Sequence, residues 1–364
     1  GEGEGEGEGE GEGEGGGEGE GEGEGEGEGE GEGEGEGEGE GEGEGEGEGE
    51  GEGEGEGEGE GEGEGEGEGE CPPETPPYAI GHVGKSFYDP ARGYQEVKTE
   101  IYYPAAYGGD GVPFPEPGCL SFPVVVFGHG YETDIGYYDY LWQTIVPRGY
   151  VMVMVDTHNE VVWNFPDFGR DLAFAIGALY AEGATPESLF FGRVNDRAAV
   201  MGHSMGGGST VLAASNNPEA DAVVCLAPSN VDSAVLDSAD GVWAPSLVLA
   251  AEKDCIVPHK DHAEPIYNAI PAACKYYVEI VGGSHCAFAQ DARVCEWAET
   301  AACLFEDFVD DSFQRSLVLL FVPPWLDATL KGRTGALDTF RAHVAAQVSA
   351  GAVTSAQECP GNPF

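Results

Sequence analysis

Near the middle of the chain, Gly202-His203-Ser204-Met205-Gly206 forms a G-x-S-x-G pattern. A serine hydroxyl is a weak nucleophile until it is held clear of the fold and paired with a base. The pattern meets the first condition when it lies between a buried strand and a helix. Glycines on either side then relieve crowding in a sharp turn that lifts the serine Oγ above the sheet. Here the apolar run 198–201 precedes the motif and a small-residue helix to about Ser215 follows it. The start of that helix offers main-chain N–H groups to charge developing on an acyl oxygen. Gly206, Gly207 and Gly208 remove side chains where helix and strand must pack closely.

The second condition requires a base and a carboxylate to orient it, which follow the serine in the order Ser, Asp, His. The strand-like run 246–250 leads into Ala251-Glu252-Lys253-Asp254, and 275–281 leads into Gly282-Gly283-Ser284-His285. In a parallel sheet both would reach the same edge as Ser204. Asp254 is therefore the candidate orienting acid and His285 the candidate base. Glu252 competes with Asp254 but sits nearer the strand end. The oxyanion pair expected is the N–H groups of Tyr131 and Met205, the former just after Gly128-His129-Gly130 at the end of another apolar run. His129 reads as structural there, and Asp156 as a loop cap. His158 falls in a loop, His259 and His262 at a polar helix start, and His82 and His343 near the domain ends. This chemistry requires no metal or organic cofactor.

The elements that must position these residues are legible from hydrophobic pattern. Runs 122–127, 150–155, 198–201, 222–226, 246–250 and 275–281 are short and almost wholly apolar, and 94–103 alternates. Helical spacing appears in 140–146 and in 168–180, where Leu172, Ala175, Ile176 and Leu179 recur. Continuous apolar strands separated by helices indicate an α/β domain: a mostly parallel, doubly wound sheet flanked by helices on both faces. No segment is long enough for a large separate cap domain.

Residues 1–70 are 36 Gly and 34 Glu in near-strict alternation, with no apolar side chain to build a core. This tract reads as a flexible arm reaching roughly 45 Å as a random coil, either a cation-attracting element or a solvating tail. A proline-rich linker over 71–92, a catalytic domain over 93–350 and a C-terminal tail over 351–364 complete the expected division. Removing the 34 tract glutamates from 70 acidic residues leaves 36 against 15 Lys and Arg, a net charge of −21 on the remainder. That balance argues against nucleic acid or an anionic membrane surface as partner. No apolar run of 18 residues is present to span a membrane. The sequence opens on Gly without an apolar leader, so any signal peptide has been removed or was never captured.

Nine cysteines, none in CxxC or CxxH spacing, read as disulfides in an oxidising compartment, secreted or periplasmic. The odd number leaves at least one thiol free, and Cys225, inside an apolar run, is the candidate. Cys255 and Cys286 follow Asp254 and His285 directly, and a bridge between them is expected. Cys274 is too far along its strand to pair with Cys286, and Cys295 and Cys303 stand too far apart on one helix to pair together.

Taken together, Gly128-His129-Gly130-Tyr131, Val200 to Gly208, Asp254-Cys255-Ile256-Val257-Pro258 and Gly282-Gly283-Ser284-His285 resemble the α/β-hydrolase superfamily. They are most similar to its bacterial cutinase and polyester-hydrolase group, with dienelactone-hydrolase and chlorophyllase relatives, over roughly 94–310. The resemblance implies a serine esterase with Ser204, Asp254 and His285 as triad, Tyr131 and Met205 as oxyanion donors, and a cleft bounded by Tyr131, His203, Ser229 and Ile256. Two departures stand out. Ser229 occupies the place where the polyester hydrolases carry a ring-stacking Trp, and the segment beyond Asp310 is longer than theirs. The expected substrate is thus a small or short-chain ester, with a cutinase-like polyesterase as the alternative and a catalytically silent binding protein as a remote one. An aromatic at Trp163, Phe165 or Phe288 could fill the gap at Ser229.

Overall fold

The apolar runs become the centre of one sheet in the computed structural model, which describes residues 73–157, 164–304, 306–361 and 363–364. The Gly-Glu tract, His158 and Trp163 lie outside the described residues. The strands are β1 (Ala79–Asp89), β2 (Gln95–Ala105), β3 (Gly109–Asp110), β4 (Phe122–Gly128), β5 (Val151–Val155), β6 (Val194–His203), β7 (Ala222–Leu226), β8 (Ser246–Ala251), β9 (Lys275–Ile280) and β10 (Val353–Glu358). The helices are α1 (Asp139–Ile145), α2 (Phe165–Ala184), α3 (Met205–Ala214), α4 (Ser233–Ala239), α5 (Ala263–Ala269), α6 (Arg293–Ala302), α7 (Asp311–Thr329) and α8 (Ala336–Ser349).

Strand order is β10-β9-β8-β7-β6-β4-β5-β2-β1-β3. Neighbours from β9 through β5 pair in parallel, whereas β2 on β5, β1 on β2 and β10 on β9 are antiparallel. Successive side chains on a strand face opposite ways, and here both ways are buried. Val124 and Val126 join the core beneath α2 to α5, while Val125 and Phe127 join the one beneath α1, α7 and α8. This is why the strand sequences read apolar throughout rather than alternating, and it is the expected doubly wound α/β arrangement.

The sheet runs past both expected ends. Residues 79–89, assigned from sequence to a linker, form β1 and pair along its whole length with β2. Residues 353–358, assigned to a tail, form β10 against β9. Only Val353 of β10 is buried. A Cys274–Cys359 disulfide and an Arg341 guanidinium donating to the Cys359 carbonyl hold that edge instead. The long C-terminal segment supplies α7 and α8, whose Trp325 and Phe340 are fully buried against Tyr276 of β9. Among the described residues, no helix is long and apolar enough to cross a membrane.

The chain runs from β4 to β5 on one side and returns to β6 on the other. The carboxyl ends of β4 and β6 therefore flank the topological switch point, where an open α/β sheet leaves a crevice. Gly128 and Gly202 stand opposite each other there. A Cβ on Gly206 would lie 2.1 Å from the Gly128 carbonyl oxygen, so only glycine admits helix α3 at this depth.

Candidate active site

Ser204 sits between β6 and α3 with φ 56° and ψ −116°, a left-handed backbone that a side chain adopts only under constraint. Four main-chain bonds supply that constraint. Its N–H donates to the Leu226 carbonyl (2.9 Å), and its own carbonyl accepts from Gly208 (3.0 Å) and Ser229 (2.9 Å). The neighbouring Gly206 N–H donates to the His129 carbonyl at 3.0 Å. The turn thus aims the Ser204 hydroxyl at His285, whose Nε2 lies 2.9 Å from Oγ.

His285 follows β9, and its Nδ1–H donates to Asp254 Oδ2 at 2.6 Å. Asp254 follows β8 and is fixed through its other oxygen, which accepts from the N–H groups of Ile256 (3.0 Å) and Val257 (2.6 Å). All three side chains are buried, with Ser204 the least so. Burial works to lower the His285 pKa, but the adjacent Asp254 carboxylate, helped by that of Glu299, outweighs it, and the balance is an imidazole more basic than usual. Glu252, the rival acid, instead accepts from Gly282 N–H at 2.7 Å and ties β8 to β9.

Tyr131, Phe165, Ser204, Met205, Ser229, Val231, Ile256 and Val257 line a cleft of about 130 Å³. Met205 opens α3, so its N–H falls in the turn that has no intrahelical acceptor. Tyr131 follows Gly130, whose N–H donates to the Tyr138 hydroxyl at 3.0 Å and fixes the approach of that loop. His129 is fully buried, with its ring nitrogens on the carbonyls of Gly130 and Thr157.

One expected cleft residue is absent from the cleft. His203 turns inward, because the turn that raises Ser204 sends its predecessor to the opposite side. Its Nε2–H donates to the His285 carbonyl (3.2 Å), which leaves Nδ1 to accept from the Tyr138 hydroxyl (2.9 Å). Burial, then the neighbouring His285, hold its pKa well below the ordinary value, so it is a neutral support for the base loop. Of the aromatics considered near Ser229, Phe165 lines the cleft, while Phe288 is fully buried beside the His203 ring.

The expected Cys255–Cys286 bridge is not formed. Cys255 pairs with Cys303 and Cys286 with Cys295. Helix α6 lies between the two loops in the connectivity, with Cys295 in its first turn and Cys303 just past its end, so each loop is joined to the helix and not to the other loop. Cys225 is buried and is the free thiol among the described residues. The sequence reading also missed Glu299 of α6. Its carboxylate accepts from the main-chain N–H groups of His285 (2.5 Å) and Cys286 (3.3 Å). Nothing in the polar stretch 293–302 marks that residue out from its neighbours Glu296 and Glu306.

Residues 73–324 match the family described as PETase, PET hydrolase-like. The chain is 31% identical over 226 residues to a bis(hydroxyethyl) terephthalate hydrolase of Streptomyces coelicolor, covering 61% of this chain and 66% of that protein. It is 30% identical over 182 residues to cutinase est1 of Thermobifida alba and to cutinase cut1 of Thermobifida fusca, covering 49% of this chain and 58% and 54% of those proteins. The matches thus span between about half and two thirds of these relatives. The family match ends within α7, so α8 and β10 lie beyond it. With Ser204, His285 and Asp254 joined at the switch point of a doubly wound sheet, and with 252 matched residues, the chain belongs to the PET hydrolase-like family.

Proposed function

We propose that this protein hydrolyses carboxylic esters through an acyl-enzyme formed on Ser204. The observation that carries the reading is the unbroken line Ser204 Oγ, His285, Asp254, opening on a cleft at 2.9 and 2.6 Å spacings. His285 Nε2 takes the Ser204 proton as Oγ bonds to the ester carbon, and the carbonyl electron pair moves onto its oxygen. The N–H groups of Tyr131 and Met205 hold that oxyanion. The imidazolium, steadied by Asp254, gives its proton to the departing alcohol. Water then repeats the sequence on the acyl group and releases the acid. Cleavage of p-nitrophenyl acetate and butyrate by the wild type, lost in Ser204→Ala, is the expected result; equal rates in both would sink the reading.

Small or short-chain esters are the proposed substrates, and export of the enzyme to an oxidising compartment is proposed with them. The cleft is small, Ser229 presents no ring, and three disulfides among the described residues suit export. A second reading, cleavage of aromatic polyesters, draws support from the PET hydrolase-like family match, from the relative named for an aromatic diester, and from Phe165, which with Tyr131 offers two rings to the cleft. An aromatic contact contributes about 0.5–1.5 kcal/mol beyond area. Ser229→Trp should therefore raise release of aromatic monomers from polyester film relative to short-ester cleavage by up to about tenfold. An unchanged ratio would refute this reading of the cleft, and a wild type as fast on film as on short esters would favour the second reading.

A further inference from the structure

Helix α6 is held in an unusual way. Arg293, Val294, Glu296, Trp297, Thr300, Ala301 and Ala302 are exposed, and the one buried residue of the helix is Glu299. An amphipathic helix ordinarily docks by its apolar stripe; here Val294 and Trp297 face solvent, 62% and 76% exposed. What joins α6 to the body is covalent and polar. Cys295 and Cys303 bond to the residues immediately after His285 and Asp254, and Glu299 accepts from the His285 and Cys286 N–H groups, with the Ser284 hydroxyl a further partner.

We propose that Glu299 is a positioning residue for His285: carried in by α6, it clamps the peptide of the base loop and sets a second negative charge near the imidazole. The proposal rests on the reading of Ser204, His285 and Asp254 given above. Clamping fixes the direction from which Nε2 meets Ser204 Oγ, since the loop main chain at His285 and Cys286 has its donors on one rigid acceptor. The charge favours the imidazolium that forms during each proton transfer, as Asp254 does at Nδ1. Burial raises the Glu299 pKa, and the nearby His285, the Ser284 hydroxyl and the N–H donors offset only part of that rise. Other charged or titratable groups around the base loop are Asp254 and Glu252 after β8, His203 at the end of β6, His262 before α5, Lys253 paired with Glu306, and Arg315 of α7, which donates to the Ala287 and Ala289 carbonyls.

The test is Glu299→Gln in the full chain, with p-nitrophenyl butyrate hydrolysis followed from about pH 5 to 9, where an imidazole titrates. The expected result is an acid limb of kcat/KM displaced to lower pH and a kcat lowered about tenfold at unchanged KM, the effect of one charge-assisted hydrogen bond. Glu299→Asp keeps the charge but withdraws it by one methylene, so its acid limb should fall between the two. An acid limb that stays at the wild-type position leaves Glu299 a structural prop, whatever kcat does, and overturns the proposal. Should the Gln variant not fold, the Asp variant decides by the same criterion. A wild type without Ser204-dependent ester cleavage would instead overturn the underlying functional reading.

Discussion

Replacing Gly206 by alanine would strike the site through the main chain alone. The added Cβ would lie 2.1 Å from the Gly128 carbonyl oxygen and 2.5 Å from that of His129, both backbone atoms that cannot swing aside. Ordinary contact needs more than 3 Å, so α3 and the Gly128–Tyr131 loop must separate by about 1 Å. Such overpacking costs roughly 1–3 kcal/mol, and it strains the 3.0 Å bond from Gly206 N–H to His129. The same movement pulls the Tyr131 N–H away from the Met205 N–H. Because losing one oxyanion donor or misplacing a group by about 1 Å costs on the order of 100-fold, kcat for p-nitrophenyl butyrate should fall by about that factor. Gly177→Ala supplies the control: within α2 its Cβ would meet nothing nearer than a Glu219 carboxylate oxygen at 3.6 Å. There alanine should add about 1 kcal/mol of helix stability, raise Tm by about 2 °C and leave kcat alone. A Gly206→Ala enzyme with wild-type kcat and Tm would refute the claim that close approach of α3 to the β4 loop assembles the oxyanion pair.

Asp254→Asn should lower kcat by about 10⁴-fold with little change in Tm. The Ile256 and Val257 N–H groups will select the amide oxygen, which turns its NH₂ toward His285 and imposes the wrong tautomer; single-turnover acylation rates measure this, and a loss below about tenfold would contradict it. Since the Asp254 and Glu299 carboxylates together outweigh burial in setting the His285 pKa, the acid limb of kcat/KM should lie above 6.5, with activity lost as pH falls through it; a limb below 6.5 would count against that balance. Residues 71–364 carry −21, so raising NaCl from about 0.01 to 1 M, which shortens the screening length from about 30 to 3 Å, should raise Tm; a flat or falling Tm would mean the charges are already neutralised locally.

Much of this could be read in advance because the site is built on residues with strong patterns. Val124 to Phe127 and Val151 to Val155 are apolar on both faces, and every triad candidate lies at or just past the carboxyl end of a buried strand. The edges were harder. β10 reads Val353-Thr354-Ser355-Ala356-Gln357-Glu358, with one buried side chain, so pairing to β9 leaves almost no hydrophobic trace. Helix α6 was equally silent as a functional element, since its attachment uses two cysteines and a carboxylate, and spacing does not reveal disulfide partners. His203 was misplaced for a local reason: sequence adjacency to Ser204 suggested the cleft, whereas the turn geometry separates the two.

The Cys286–Cys295 loop is nested inside the larger Cys255–Cys303 loop, and neither crosslink touches the strands that build the centre of the sheet. Biosynthesis is therefore split into two acts that need not coincide. The parallel core can form by burial alone in any compartment, whereas covalent tethering of α6 waits for oxidant. A chain made in a reducing cytoplasm would then accumulate as a well-folded, soluble protein whose base loop lacks its tether. Yield and specific activity should diverge between expression compartments, and material that passes every test of folding would still need export, or later oxidation, before it matured.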